Sequence, residues 1–256
     1  MKSSQPVALV TGAGSGIGRA VAFKLGEEGV RVAICDRDQG SLEKTSGAMS
    51  EQGIAVSAHF CDVSQRDQVD QVVQAILERH ERVDILVNNA GVSKRNPIDD
   101  SGDAIWHEIL ATNLNGVYFC SQSALLRMPM GGRIVNIASI SGKVGTAGYT
   151  AYCASKHAVI GFTRALALEV APRKITVNAV CPGWTETYMA RADIEENARL
   201  KGSSYQRIEA AVLKDIPLGE FILPARIADF VYFLISPAAA NITGQALNIS
   251  GGEVMH

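Results

Sequence analysis

Disulfide spacing is what this chain most plainly lacks. Its five cysteines (Cys35, Cys61, Cys120, Cys153 and Cys181) are odd in number and form no Cys-x-x-Cys pair. Reduced thiols in a cytoplasmic setting are therefore expected in place of a disulfide framework. Metal-ligand spacing is missing as well. His59 and Cys61 alternate along one stretch, but His80, His107, His157 and His256 stand apart, and no metal is expected. No apolar run approaches the ~20 residues that cross a bilayer. The opening MKSSQPVALVTGAG reaches its glycines too soon to hold the apolar core of a secretion signal. Nor does either sign of charge prevail: 24 Lys and Arg face 26 Asp and Glu, and the basic residues are scattered. A nucleic acid or an anionic membrane is not an expected partner. Aromatic residues are few (6%) beside 24 glycines, a balance that suits alternating strands and helices more than a sandwich. No linker, low-complexity run or repeat divides the 256 residues, 47% of them hydrophobic, so one domain over 1–256 is expected.

What is present is a rhythm. Apolar runs of strand length fall at 7–11, 31–35, 55–60, 84–88, 133–138, 175–180 and 246–250. Helical periodicity fills the gaps at 17–28, 41–52, 65–79, 105–127, 151–170 and 226–235. Near-continuous Val, Ile and Leu in the strands imply a parallel sheet covered on both faces. Right-handed crossovers then give an α/β, doubly wound, Rossmann-like fold of three layers, α/β/α. Ligands belong beyond the carboxyl ends of the strands. One segment breaks the pattern: about 184–221 carries two helices' worth of residues and no strand, and is expected to cover a substrate pocket as a lid.

VTGAGSGIG follows the first strand and opens the first helix. Glycines at 12, 14, 16 and 18 let bare N–H groups approach a pyrophosphate at the helix N-terminus. The loop reads Thr-Gly-x-x-x-Gly-Ile-Gly, so Gly12, Ser15, Gly16, Ile17 and Gly18 are the candidate contacts. Asp36 ends the second strand 18 residues beyond Gly18, where a carboxylate accepts from an adenosine ribose and repels a 2′-phosphate. NAD is therefore expected over NADP, although Arg37 could neutralise a phosphate if Asp36 turned away. In YTAYCASKHAVIGF, Tyr152 and Lys156 stand four residues apart, hence side by side on a helix. A tyrosine of pKa ~10 is a poor base at neutral pH. A neighbouring ammonium is expected to lower it and make the pair a general acid/base unit. Packed tyrosine and extended lysine on an ordinary helix is the competing explanation.

TGAGSGIG, NNAG (88–91), Ser139 and Tyr152 with Lys156, taken in order, resemble the short-chain dehydrogenase/reductase family over essentially the whole chain. The resemblance implies direct hydride transfer between a nicotinamide and a carbinol carbon, with Tyr152 moving the proton. It implies that Ser139, rather than the nearby Ser141, binds the substrate oxygen. It gives Asn113, rather than Asn115, a place in a helix it disturbs, holding a water that links Lys156 to solvent. Lys156 also meets the nicotinamide ribose. Asp62 and Val63 flank the adenine, Asn88 steadies the central strand and is counted among the cofactor-binding residues, and Ala90 and Gly91 lie against the dinucleotide. Pro182, Gly183, Thr185 and Thr187 belong to a loop that grips the nicotinamide amide. The substrate side is expected to use Tyr149, Trp184 and Tyr188, with Met189 and Tyr205. Lys94, Arg95 and Lys143 either meet an anionic carrier or are solvated.

Within the family the chain resembles 3-oxoacyl-carrier-protein reductases and aromatic polyketide ketoreductases. Those enzymes usually prefer NADP, and VSKRN (92–96) replaces the Pro-Gly-Gly that some carry. An NAD-dependent secondary alcohol dehydrogenase acting on a ring alcohol or hydroxyacyl thioester is therefore expected. The alternatives are an NADP-dependent 3-oxoacyl or polyketide ketoreductase and, more remotely, a non-catalytic dinucleotide-binding regulatory protein. Family members are mostly homotetramers or homodimers.

Overall fold

A computed structural model describes residues 5–99 and 102–256. The strands are β1 (Val7–Thr11), β2 (Arg31–Asp36), β3 (Val56–Phe60), β4 (Ile85–Asn88), β5 (Arg133–Ile137), β6 (Thr176–Pro182) and β7 (Ala246–Ile249). They form one parallel sheet in the order β3-β2-β1-β4-β5-β6-β7. The order reverses beside β1, which pairs with β2 on one side and β4 on the other. That reversal parts the connecting loops and opens a crevice at the strands' carboxyl ends.

Burial explains why these runs are strands. Side chains alternate faces along a strand, so both sets must be apolar when helices cover both sides. Ala8 and Val10 of β1 join one core layer, packed by Leu25 of α1 (Gly16–Glu27) and Val231 of α9 (Pro224–Ile235). Val7 and Leu9 join the other, against Val73 of α3 (Arg66–His80) and Leu166 of α6 (Thr150–Val170). The remaining helix of the first half is α2 (Gln39–Glu51), whose N-cap Asp38 accepts from Ser41 N.

The helix expected at 105–127 is not continuous. It runs as α4 (Gly102–Leu110), widens into a π turn at Ala111–Asn115 and resumes as α5 (Gly116–Leu125). The insertion between β6 and α9 is two helices, α7 (Tyr188–Leu200) and α8 (Tyr205–Asp215), capped by Thr187 and Ser204. Its two ends are tied together: Ile222 N donates to Trp184 O at 2.9 Å and Glu186 N to Ile222 O at 2.9 Å.

Asn88 sits in the middle of the sheet, not on its edge. Its Nδ2 donates to Asn136 Oδ1 (2.8 Å) and Ser121 Oγ (3.1 Å), while Asn136 Nδ2 donates to Thr163 Oγ1 (2.9 Å). This chain ties β4 and β5 to α5 and α6 through fully buried groups, so each bond is costly to break. Asn88 thus supports the central strand as expected, but it does not line the cavity expected to hold a dinucleotide.

Candidate active site

A cavity of about 630 Å³ extends from the glycine loop to α7 and lies at the carboxyl ends of the central strands. At its first end, β1 turns into α1 on positive φ at Gly12 (64°) and Gly16 (54°). A Cβ added at Gly12 would lie 2.7 Å from Ala90 Cα, so the loop and the NNAG segment touch backbone to backbone. Asn89 Nδ2 bridges them, donating to Thr11 O and Gly12 O at 2.9 Å each. Ser15, the N-cap of α1, makes no side-chain cap bond, which leaves first-turn N–H groups for an anion. Gly18 is packed beneath the loop instead of facing the cavity: a Cβ there would meet Gly12 O at 2.3 Å. Gly12→Ala is expected to lower the urea midpoint, since positive φ alone costs about 1–2 kcal/mol and a backbone clash adds to it. An unchanged midpoint would mean that the loop can shift away from Ala90.

Asp36 reaches into the same end. Its Oδ2 accepts from Gly14 N (2.9 Å) and its Oδ1 from Asp38 N (2.9 Å). Both oxygens are therefore oriented by backbone, and the carboxylate is fixed beside the loop. Arg37, Asp62, Val63, Ala90 and Gly91 complete this wall, joined by Cys61. Pro182, Gly183, Trp184, Thr185 and Thr187 line the far side. A glycine cradle, a helix N-terminus and a fixed acid after β2 together fit a dinucleotide.

The reacting end is built on α6. Asn96, buried in the segment after β4, caps that helix from a distance. Its Oδ1 accepts from Ala151 N (3.0 Å), and its Nδ2 donates to Thr150 Oγ1 (3.0 Å). Nothing in the sequence around Asn96 signals this positioning role, because the partners are 54 and 55 residues away. Tyr152, half-buried, and Lys156, 5% exposed, lie on the cavity side of α6, with Nζ 5.7 Å from the tyrosine ring centroid. Ser139 follows β5, is buried, and hydrogen-bonds Tyr152; its Oγ accepts from Ser141 N at 3.1 Å. Ser141 also lines the cavity, but its backbone serves Ser139.

The electrostatics depart from the sequence expectation. Lys156 Nζ donates to Ile137 O at 2.8 Å, and burial pulls its pKa down to about 8. Burial pushes Tyr152 up to about 12, and the hydrogen bond with Ser139 offsets only part of it. In the protein alone, desolvation of the phenolate is the dominant influence, and the ammonium one turn away is not among those that act on it. Burial thus holds Tyr152 above an ordinary phenol, where the sequence suggested a lowering by the neighbouring ammonium.

Asn113 is wholly buried in the π turn and does not reach the cavity lining. Its Oδ1 accepts from Val92 N (2.8 Å), and its Nδ2 donates to Val92 O (2.9 Å) and Ser155 Oγ (3.1 Å). It clamps the segment after NNAG to α6, so the structure places it as a support for Tyr152 and Lys156. Asn115 lies at the end of the same turn.

On the substrate side, Tyr149, Trp184, Tyr188 and Met189 line the cavity as expected, Tyr188 at its exposed rim. Tyr205 does not: it borders a separate cleft with Glu209 and Phe221. Two of the three cations are engaged elsewhere, Lys94 with Glu108 (2.6 Å) and Lys143 with Ala246 O (2.8 Å). Asp193 and Asn197, which α7 directs at the same cavity, carry no signal in the sequence. Among the described residues, no group of His, Cys, Asp or Glu is placed to hold a metal, and no helix is long and apolar enough to cross a membrane.

This geometry has close parallels. The family model described as short chain dehydrogenase matches residues 6–198. A putative ketoacyl reductase of Streptomyces coelicolor is 42% identical over 250 residues, 96% of each chain. A granaticin polyketide synthase putative ketoacyl reductase of Streptomyces violaceoruber is 40% identical, over 98% of this chain and 93% of that one. Among solved structures, a tryptophan variant of the actinorhodin polyketide ketoreductase with NADPH superposes with a TM-score of 0.95, at 41% identity and 99% coverage of both chains. Matched in sequence and in fold along nearly its whole length, this chain belongs to the short chain dehydrogenase family.

Proposed function

We propose that this protein is a ketoreductase that reduces a ketone of 3-oxoacyl or polyketide type to a secondary alcohol, using NADH in preference to NADPH. The observation that carries the proposal is the placement of Tyr152, Ser139 and Lys156 on one wall of a cavity that begins at the glycine loop. When bound, a reduced nicotinamide supplies the hydride. Everything else falls to the chain's own groups. Ser139 and Tyr152 converge as hydrogen-bond donors on a carbonyl oxygen, holding it where negative charge develops. Tyr152 gives up its phenolic proton to that oxygen. Lys156, cationic below about 8, favours the phenolate left behind and also meets the nicotinamide ribose. Gly12, Ser15, Gly16 and Ile17 take the pyrophosphate, Asp36 the adenosine ribose, and Asp62 and Val63 the adenine. Ala90 and Gly91 lie along the dinucleotide, while Gly183, Thr185 and Thr187 hold the amide end.

The sequence pointed to a secondary alcohol dehydrogenase; the kinship to ketoacyl reductases supports reduction instead. The test is a panel of ring ketones and 3-oxoacyl thioesters, followed by loss of reduced-dinucleotide absorbance. Turnover of at least one class is expected. Tight dinucleotide binding with no ketone reduced would overturn the proposal. Exposed Tyr118 of α5 and Leu168 of α6, 45% and 79% accessible, support the homodimer or homotetramer expected of the family.

A further inference from the structure

The lid helix α7 brings one carboxylate into the substrate half of the cavity, and the mechanism does not use it. Asp193 is half-buried there among groups from three elements. Tyr149 Oη, at the start of α6, donates to Asp193 Oδ1 at 3.4 Å; Ser93 Oγ, in the segment after β4, donates to Oδ2 at 3.5 Å. Hydroxyl-to-carboxylate bonds ordinarily close to 2.5–2.7 Å, so both partners hold the carboxylate slackly. Among the described residues no lysine or arginine pairs with it. Asn197, one turn on, spends its Nδ2 on Asp193's own backbone carbonyl (2.8 Å) and so steadies the turn but not the charge. Burial raises Asp193 to about 6, a sign that the protein does not fully compensate it.

A carboxylate in this state is complementary to a ligand that donates and hostile to one that carries negative charge. We propose that Asp193, with Ser93 and Tyr149, forms an anionic substrate subsite that accepts a hydroxyl or ammonium of the substrate and rejects carboxylates. This rests on the ketoreductase reading and narrows it: the preferred ketone carries a second hydrogen-bond donor and no acid group. The charge also reaches the chemistry, because Asp193 raises both Tyr149 and Tyr152. The other charged groups acting on this corner are Arg95, beside Tyr149 and Glu196, and Glu196 itself on α7, which pairs with Arg199.

The test compares three ring ketones that differ in one substituent: hydrogen, hydroxyl or carboxylate. At pH 7.5 the wild type is expected to favour hydroxyl over carboxylate by about 10-fold or more in kcat/KM, as a charge pair a few ångströms apart at low effective dielectric requires. Asp193→Asn should collapse that ratio several-fold, and Glu196→Gln, a lid charge outside the cavity lining, should not change it. Lowering the pH through about 6 should shrink the wild-type ratio and leave the Asp193→Asn ratio unmoved. The matching ring alcohols, titrated by quenching of Trp184, give Kd values that need no turnover. Their order should follow the same ranking, so failure of the reductase reading and failure of the subsite are separable. Equal ratios in wild type and Asp193→Asn, in rate and in Kd, would overturn the proposal.

Discussion

Tyr152→Phe is expected to lower the rate of ketone reduction by about 10²–10⁴-fold, the contribution of a positioned general acid. Dinucleotide affinity should stay within a few-fold of wild type. The substitution keeps the ring, its packing on α6 and its contact with Lys156, whose Nζ lies 5.7 Å from the ring centroid. Only the hydroxyl goes, and with it the proton that the carbonyl oxygen must receive. Ser139 still accepts from Ser141 N, so the local turn keeps its cap. The fold is therefore not at stake, and the comparison isolates chemistry from stability. Stopped-flow single-turnover rates, paired with dinucleotide titration, make the separation directly. A Phe variant within about 10-fold of the wild-type rate would assign the proton to another group.

The second large effect concerns the dinucleotide. The wild type is expected to prefer NADH over NADPH by about 100-fold in kcat/KM. The Asp36 carboxylate is fixed by Gly14 N and Asp38 N, so it cannot turn away from a 2′-phosphate without breaking two backbone bonds. Two anions in contact near a protein surface repel by several kcal/mol, more than a 100-fold preference requires. Asp36→Ala should cost NADH some affinity, because the glycine loop loses its anchor at Gly14. It should gain on NADPH, because Arg37 stands in the same wall. Steady-state kinetics with both dinucleotides decide the matter. Preference for NADPH in the wild type, the dinucleotide held by the similar actinorhodin enzyme, would mean that Arg37 prevails over Asp36.

Much of this molecule is legible in its sequence because local and global signals agree. VALVT and RIVNIA could only be strands covered on both faces, and they are. The glycine loop was readable because positive φ and backbone approach leave a residue-type signature. Three features were not. The π turn at 111–115 has no propensity signal, and only the resemblance, which set Asn113 in a disturbed helix, pointed to it; Asn113 stabilises it through Val92, 21 residues away. Asp193 looks like any exposed acid of an amphipathic helix until the insertion folds back over the cavity. The protonation of Tyr152 depends on a balance between burial and charge, and i to i+4 spacing reports only the second. Asn88 erred for a related reason: its place in a motif suggested a ligand contact, and the alternation of the strand turned it inward.

The proton carried by Tyr152 is the point on which the mechanism turns. Tyr152, pushed by burial up to about 12, keeps its proton through neutral and mildly alkaline pH; Lys156, lowered to about 8, loses its charge there. That loss of charge acts against reduction at alkaline pH and not at neutrality. The direct measurement is kcat/KM for a neutral ketone against pH, at saturating reduced dinucleotide. A plateau around neutrality and a single falling limb on the alkaline side is the predicted result. A rate that climbs steadily from pH 6 to pH 9 would show that reduction needs a phenolate, and would contradict the assignment of Tyr152 as the proton donor.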